Sequence, residues 1–322
     1  MISLVRTYKY EESFVNGITI RGVRFDHPVM NAAGMVKSAD ELATVIRSSS
    51  SAALFGTLTG QLRPGNDEPR FAFDDDRQFS INAMGLPDRG PSYYGDGESS
   101  PWGDIFSEAS TSDKPIILSV APLGDFKSSM DCLIGWANAW SVDIIELNLG
   151  CPNVWGLDGI QKRIASFDLD GMMRQIEYLA SIWAGPIWLK LSPYSDPVQL
   201  QETAAFFAHL EPGLRSHLVV VTSNTFPNGM LMAARGKPYL SVRYGGFAGP
   251  AFKAIALGQV TQWVEALVGT EIPVIGVGGV KTGQDVVDYL SAGAVAVQIG
   301  THFYLNGARV FHQVLQEYAN LI

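Results

Sequence analysis

Apolar residues in this chain gather in short unbroken runs, each ending in glycine or a polar side chain. Eight stand out, at 28–34, 52–58, 115–121, 143–149, 186–192, 218–224, 273–279 and 294–300. A strand with one wet face alternates apolar and polar positions. A strand covered on both faces does not, so such runs predict a parallel sheet. Helical spacing predicts helices between most of them, at 38–48, 126–140, 167–184, 196–210, 251–268 and 282–293. The first opens on a capping box, Ser38 with Glu41, and the last stops on Gly293. Eight such strands with helices between most of them predict an α/β fold, a (β/α)8 TIM barrel, spanning 1–322 as a single domain.

Two segments stand outside that rhythm. FVNGITI, with Asn16-Gly17 as its turn, predicts an N-terminal hairpin. After strand 2, residues 60–113 form a long insertion rich in Gly, Pro and Asp, with no helix expected beyond a short one near 102–109. Insertions of this length in a compact domain usually carry function.

Composition narrows the possibilities. A net charge of −9 leaves no broad basic field, which argues against nucleic acid as a partner. The two cysteines, Cys132 and Cys151, make neither a disulfide framework nor a metal cluster, and the five histidines lack ligand spacing. No metal is expected. The N-terminal residues hold no apolar core of signal-peptide length, and no run approaches the ~18 residues of a spanning helix. A reducing cytoplasm and no membrane association are the expectation.

A barrel places its active site at the C-terminal ends of its strands. Here these ends supply Asn31 and then Lys37, Thr57 and Thr59, Asn148 with Cys151 and Asn153, Lys190 and Ser192, Asn224 and Thr225, Gly278-Gly279, and Gly300-Thr301. Strands 7 and 8 end in GVGG and QIGT, where such loops cradle phosphate on backbone N–H groups. The phosphate could belong to a substrate or to a flavin nucleotide. Asn82, Asn148, Asn153 and Asn224 each offer a donor and an acceptor, which together suit a pyrimidine or an imide. Lys190 interrupts the apolar run IWLKL and is expected to point inward against negative charge, since helices cover the other face. Lys37 reads equally well as a solvated loop residue. Cys151 is either a thiol poised to accept a proton or a small buried hydrophobe. Cys132, on a helix face, is expected to be the latter.

The motifs NAAG (31–34), GTLTGQLRPGNDEPR (56–70), SINAMGLPDRG (80–90), ELNLGCPN (146–153), SNT (223–225), GGFAGPAFKAIAL (245–257) and GVGGVKTGQD with GAVAVQIGT (276–301), together with the Lys190 strand, occur in order. By these the chain resembles the dihydroorotate dehydrogenase family of FMN enzymes over nearly its whole length, and the soluble cysteine-base branch most. The resemblance implies FMN as cofactor and Cys151 as the base removing the C5 proton while hydride leaves C6. It implies that Lys37, Asn82, Met84, Gly85, Leu86, Asn148, Asn153, Asn224 and Thr225 bind dihydroorotate. Ala33, Gly34, Thr57, Asn148, Lys190, Gly249, Gly278, Gly279, Gly300 and Thr301 would bind FMN. A soluble electron acceptor such as fumarate and a homodimer are also implied.

Three departures accompany it. Gly150 replaces the usual serine before the cysteine. Gly56 stands where the fumarate-reducing branch often carries lysine, and Lys37 matches the lysine position of the membrane-bound branch. The stretch GDGESSPWGD (95–104) has no counterpart. Another dihydropyrimidine as substrate, or a flavin-binding barrel without turnover, would also accommodate these differences.

Overall fold

The computed structural model describes residues 17–95, 101–154, 161–233 and 236–322. The chain enters through an antiparallel hairpin, β1 (Ile18–Ile20) and β2 (Val23–Phe25). Its turn is Arg21-Gly22 rather than the expected Asn16-Gly17, of which Asn16 lies outside the described residues. A two-residue hairpin turn of this hand needs positive φ at both positions. Arg21 adopts φ 49° and Gly22 φ 82°. Arg21 is held there because its guanidinium donates to the carbonyls of Leu218, Arg215 and Glu271.

All eight apolar runs form the strands of one parallel barrel: β3 (Val29–Asn31), β4 (Ala53–Leu58), β7 (Ile116–Val120), β8 (Ile144–Asn148), β9 (Ile187–Leu191), β10 (Leu218–Thr222), β13 (Val274–Val277) and β14 (Ala296–Ile299). Hydrogen bonding runs from β4 through β7, β8, β9, β10, β13 and β14 to β3. At the seam between β3 and β4 the Asn31 side chain donates to the Leu54 carbonyl at 2.6 Å and accepts from the Leu54 N–H at 2.9 Å. Asn31 therefore acts as a structural amide closing the barrel, not as a group free for a ligand. The barrel interior is filled by residues such as Met30, Leu54, Ile117, Trp188 and Ile275. Phe25 from the hairpin sits 6.0 Å from the Trp188 ring and plugs the N-terminal end.

The predicted helices appear as α1 (Ala39–Ile46), α4 (Phe126–Ala139), α5 (Leu169–Ile182), α6 (Pro197–Ala208), α8 (Lys253–Ala266) and α9 (Gly283–Ser291). The Ser38–Glu41 capping box is formed, and Thr282 with Asp285 makes a second one. Two further helices, α10 (Thr301–Asn306) and α11 (Arg309–Ala319), close the chain.

The insertion after strand 2 is more ordered than expected. It contains β5 (Phe71–Asp74) and β6 (Phe79–Asn82), then α2 (Pro91–Tyr94) and α3 (Pro101–Ser110), the last where a short helix was predicted. β6 pairs antiparallel with β12 (Gly245–Ala248), and β12 with β11 (Phe226–Gly229), both from the loop after β10. Two distant insertions thus share one four-stranded sheet, and Asn82 and Gly246 are register partners within it. The divergent stretch 95–104 falls partly, at 96–100, outside the described residues.

Candidate functional site

Every residue that the family resemblance marked for substrate, cofactor or base lines one cavity at the C-terminal mouth of the barrel, whereas Asn31, Thr59 and Ser192, also read as strand-end candidates, do not. The cavity holds about 1270 Å³, counting its open end. Strand ends supply one wall, and the four-stranded sheet arches over the other through Ser80 and Asn82.

The amides form a network before any ligand arrives. Asn148 donates to the Thr57 hydroxyl at 2.9 Å, and that hydroxyl also meets Ser119 Oγ at 2.9 Å. Asn224 donates to Asn148 Oδ1 at 3.0 Å, and Asn153 donates to the Asn82 carbonyl at 2.9 Å. Asn82 itself donates to the Gly246 carbonyl at 3.4 Å. An amide nitrogen carries two donors. Each of the four spends one in these bonds, which fixes its orientation and leaves the other for a flat ring with carbonyl edges.

Lys37 is not a solvated loop lysine. Its ammonium donates to the carbonyls of Thr57 at 3.0 Å and Pro87 at 2.5 Å. Burial pulls its pKa down to about 8, and nearby Asp88 opposes that fall. Asp88 is itself buried and accepts from Thr59 and the Gly90 N–H, which pins the loop that carries Pro87. Gly56 explains why no lysine stands there. Its φ is 99°, and a Cβ would run into the Ser119 carbonyl oxygen.

Cys151 follows β8 on the pocket wall, half-buried. Burial pushes its thiol upward, while the Asn153 N–H and the Lys37 and Arg63 cations pull the other way. The geometry puts a thiol, an ammonium and four amides around one space. Cys132, by contrast, packs half-buried against the core beside α4's apolar face.

Lys190 points inward as expected and is 5% exposed. Its ammonium donates to Gln298 Oε1 at 3.2 Å and lies 3.7 Å from Glu146 Oε1. Neither partner was foreseen. Glu146 sits two residues before Asn148 on the same strand face, so period-two spacing places it inward, but nothing in the sequence shows what it meets across the barrel.

The glycines at the ends of β13 and β14 have the geometry a phosphate cradle needs. Gly278 and Gly279 have φ 137° and 69°. A Cβ on them would lie 2.5 Å from Ala256 Cβ and 2.7 Å from Lys253 Cβ, so only glycine lets this backbone lie between helix α8 and the cavity. A Cβ on Gly249, whose φ is 88°, would lie 3.0 Å from Phe79 Cα and Ser80 N. Thr301 meets the Ser80 hydroxyl at 3.1 Å, and the buried Ser223 hydroxyl, also on the cavity wall, has no partner. These features fit a flavin nucleotide, whose phosphate the glycines would hold and whose reduced, anionic form Lys190 would favour. The sequence reading missed Ser80, Ser223, and the Phe71–Tyr304 pair, whose ring centroids lie 4.5 Å apart at a tilt of 54° on the cavity wall. Phe71 and Tyr304 lie too far apart in sequence for local patterning to link them.

Comparison with known proteins gives a consistent answer. The family model described as dihydroorotate dehydrogenase matches residues 17–322. A Streptococcus pyogenes protein carrying the name dihydroorotate dehydrogenase A (fumarate) is 34% identical over 298 residues, covering 91% of this chain and 88% of its own. A Streptococcus uberis protein of the same name is 33% identical over 305 residues, covering 92% and 90%. A crystal structure of DHODH from Eimeria tenella in complex with ferulenol superposes with a TM-score of 0.77 at 18% identity, over 99% of this chain and 87% of that one. That likeness bears on the fold alone. With the family model running across the whole barrel and its lid sheet, the chain belongs to the dihydroorotate dehydrogenase family of flavin-dependent oxidoreductases.

Proposed function

We propose that this chain, as one FMN-binding unit over 1–322, oxidises dihydroorotate to orotate and passes the electrons to a soluble acceptor such as fumarate. The observation that carries this reading is the meeting of Cys151, Lys37 and four asparagines in the same cavity as the glycine cradle. The relatives named for fumarate support the acceptor. Among the described residues no helix is long and apolar enough to cross a membrane.

Bound FMN supplies a hydride acceptor, its N5, for the C6–H of dihydroorotate. The chain's own groups do the rest. Cys151, as thiolate, takes the C5 proton; the C5–H electron pair becomes the new C5=C6 bond as hydride leaves C6. Lys37 faces the substrate carboxylate with an ammonium held by two carbonyls. Asn82, Asn148, Asn153 and Asn224 hold the ring's N–H and C=O edges, their free donors already aimed by the network. The sheet containing β6 and β12 walls one side of the pocket through Ser80, Asn82 and Ala248. Lys190 places positive charge on the cavity floor, where a reduced flavin carries its negative charge.

The test is spectroscopic. The purified protein should be yellow, should bleach on anaerobic addition of dihydroorotate, and should recover its colour with fumarate. A bound flavin that dihydroorotate leaves oxidised would refute the substrate. Recovery with a quinone but not with fumarate would refute the acceptor.

A further inference from the structure

His302 is a polar side chain on the cavity wall that the proposed reaction does not use. It lies in the first turn of α10, directly after Gly300 and Thr301, and so stands beside the glycine cradle. Its Nε2 is buried and has no hydrogen-bond partner among the described residues. Its Nδ1 lies 3.2 Å from Asn306 Nδ2. The same amide nitrogen donates to the His302 carbonyl at 3.1 Å. That second bond fixes which way the amide points, because an amide oxygen cannot face a carbonyl oxygen.

These two bonds settle where the ring carries its hydrogen. An amide nitrogen donates and does not accept, so Nδ1 is the acceptor of the pair. A neutral imidazole that accepts at Nδ1 carries its hydrogen on Nε2. Burial lowers the pKa of His302, and the Lys281 and Arg309 cations add to that effect against the Glu317 and Asp285 carboxylates. Above about pH 7 the ring is therefore neutral and presents a buried N–H with no acceptor. Leaving such a donor unmade costs free energy, so its natural use is to meet a ligand.

The surroundings select a phosphate as that acceptor. Gly278, Gly279 and Gly300 contribute backbone alone to this part of the wall, and Thr301 a hydroxyl. Lys253, packed behind Gly279, bridges the Asp285 and Asp288 carboxylates and so brings no net positive charge. Lys37 and Lys190, the lysines on the cavity wall, are engaged by the Thr57 and Pro87 carbonyls and by Gln298. A dianion resting on the glycines thus gains a side-chain donor from His302.

We propose that His302 is an additional ligand of the flavin phosphate, its Nε2–H donating to a phosphate oxygen beside the glycine cradle. The inference rests on the proposed flavin nucleotide in this cavity. It concerns the phosphate alone and leaves the binding of the isoalloxazine ring unchanged.

The experiment strips flavin from the full chain and measures the affinity for FMN and for riboflavin, which lacks the phosphate, by quenching of flavin fluorescence. Wild type, His302→Ala and His302→Phe are compared at about pH 7.5, where the ring is neutral. His302→Ala should bind FMN roughly 10- to 100-fold more weakly, the loss expected of one hydrogen bond to a charged acceptor, with riboflavin affinity unchanged. His302→Phe keeps a ring of similar size but no donor, and should lose as much. Wild-type FMN affinity in either variant would overturn the inference, and so would equal losses for FMN and riboflavin, which mark a general disturbance of the cavity. A crystal of the FMN-loaded wild type with Nε2 beyond hydrogen-bonding distance of the phosphate would overturn it without any variant. Failure of the flavin reading itself is distinguishable, because wild-type protein would then bind neither flavin.

Discussion

Placing serine at position 150, the residue that the family resemblance leads one to expect there, should damage this protein. Gly150 lies where the chain leaves β8 for the Cys151 loop, and it packs edge-on against the end of β9. A Cβ there would lie 2.6 Å from Leu191 C, 2.6 Å from Ser192 N and 2.8 Å from Asn224 Cβ. Two of those atoms are backbone, so no flexible tip can swing aside. The peptide that they belong to is pinned at both ends: the Leu191 carbonyl accepts from the Asn224 N–H at 2.8 Å, and the Ser192 N–H donates to Ser166 Oγ at 3.3 Å. Overpacking against a rigid neighbour costs about 1–3 kcal/mol. At roughly 2 °C per kcal/mol for a chain of this size, the melting temperature of Gly150→Ser should fall by about 2–6 °C. The larger effect is on chemistry. Asn148 accepts the Gly150 N–H at 3.3 Å and the Asn224 amide at 3.0 Å, so moving residue 150 moves two ring-binding amides and the adjacent thiol together. A shift near 1 Å costs on the order of 10²-fold in rate. Thermal unfolding and anaerobic stopped-flow reduction by dihydroorotate measure the two effects, and Gly150→Ala should behave alike because the collision is with Cβ. A serine variant as stable and as fast as wild type would refute the packing argument.

Two further outcomes follow from the same cavity. Cys151→Ala should retain its flavin yet lose roughly 10²–10⁴-fold in the rate of flavin bleaching by dihydroorotate, the loss typical of a missing general base; wild-type rates would reject Cys151 as that base. Orotate affinity should be flat with pH up to about 8 and then fall by about tenfold per unit, because Lys37 loses its charge as pH rises through its lowered value. Titrating the flavin spectrum with orotate at several pH values reads this directly, Lys37→Met should abolish the dependence, and undiminished affinity at pH 10 would refute it.

The barrel was legible because its strands are covered on both faces, so each reads as an uninterrupted apolar run wherever its partners lie. The lid sheet was not. FPNG and GGFA, which become β11 and β12, have the composition of turns, and their strand character comes from pairing with residues near 80 that lie far away in sequence. The same limit applies within the site. The helices expected to cover the outside of the barrel told that Lys190 faces inward, but only closure of the barrel brings β14 beside β9's inward layer and sets Gln298 and Glu146 against it. Asn31 marks the opposite failure: at a strand end it looked available, yet the seam between β3 and β4 consumes both ends of its amide.

Lys37 and Gly56 are best understood as one arrangement. Gly56 accepts from the Gly34 N–H and donates to the Val36 carbonyl, both at 2.8 Å, so the segment leaving β3 is strapped antiparallel onto the end of β4. That strap ends at Val36, and the next residue, Lys37, is delivered to the Thr57 carbonyl beside it. At position 56 the positive φ and the close Ser119 carbonyl leave no room for a side chain. A lysine therefore cannot be built at position 56 on this backbone, and the Lys37 ammonium reaches the cavity from the segment leaving β3. In this pocket the cation at the Thr57 backbone is Lys37. The position of Lys37, which in the sequence resembles the membrane-bound branch, thus has a local cause in this backbone, and by itself it says nothing about which oxidant the protein uses.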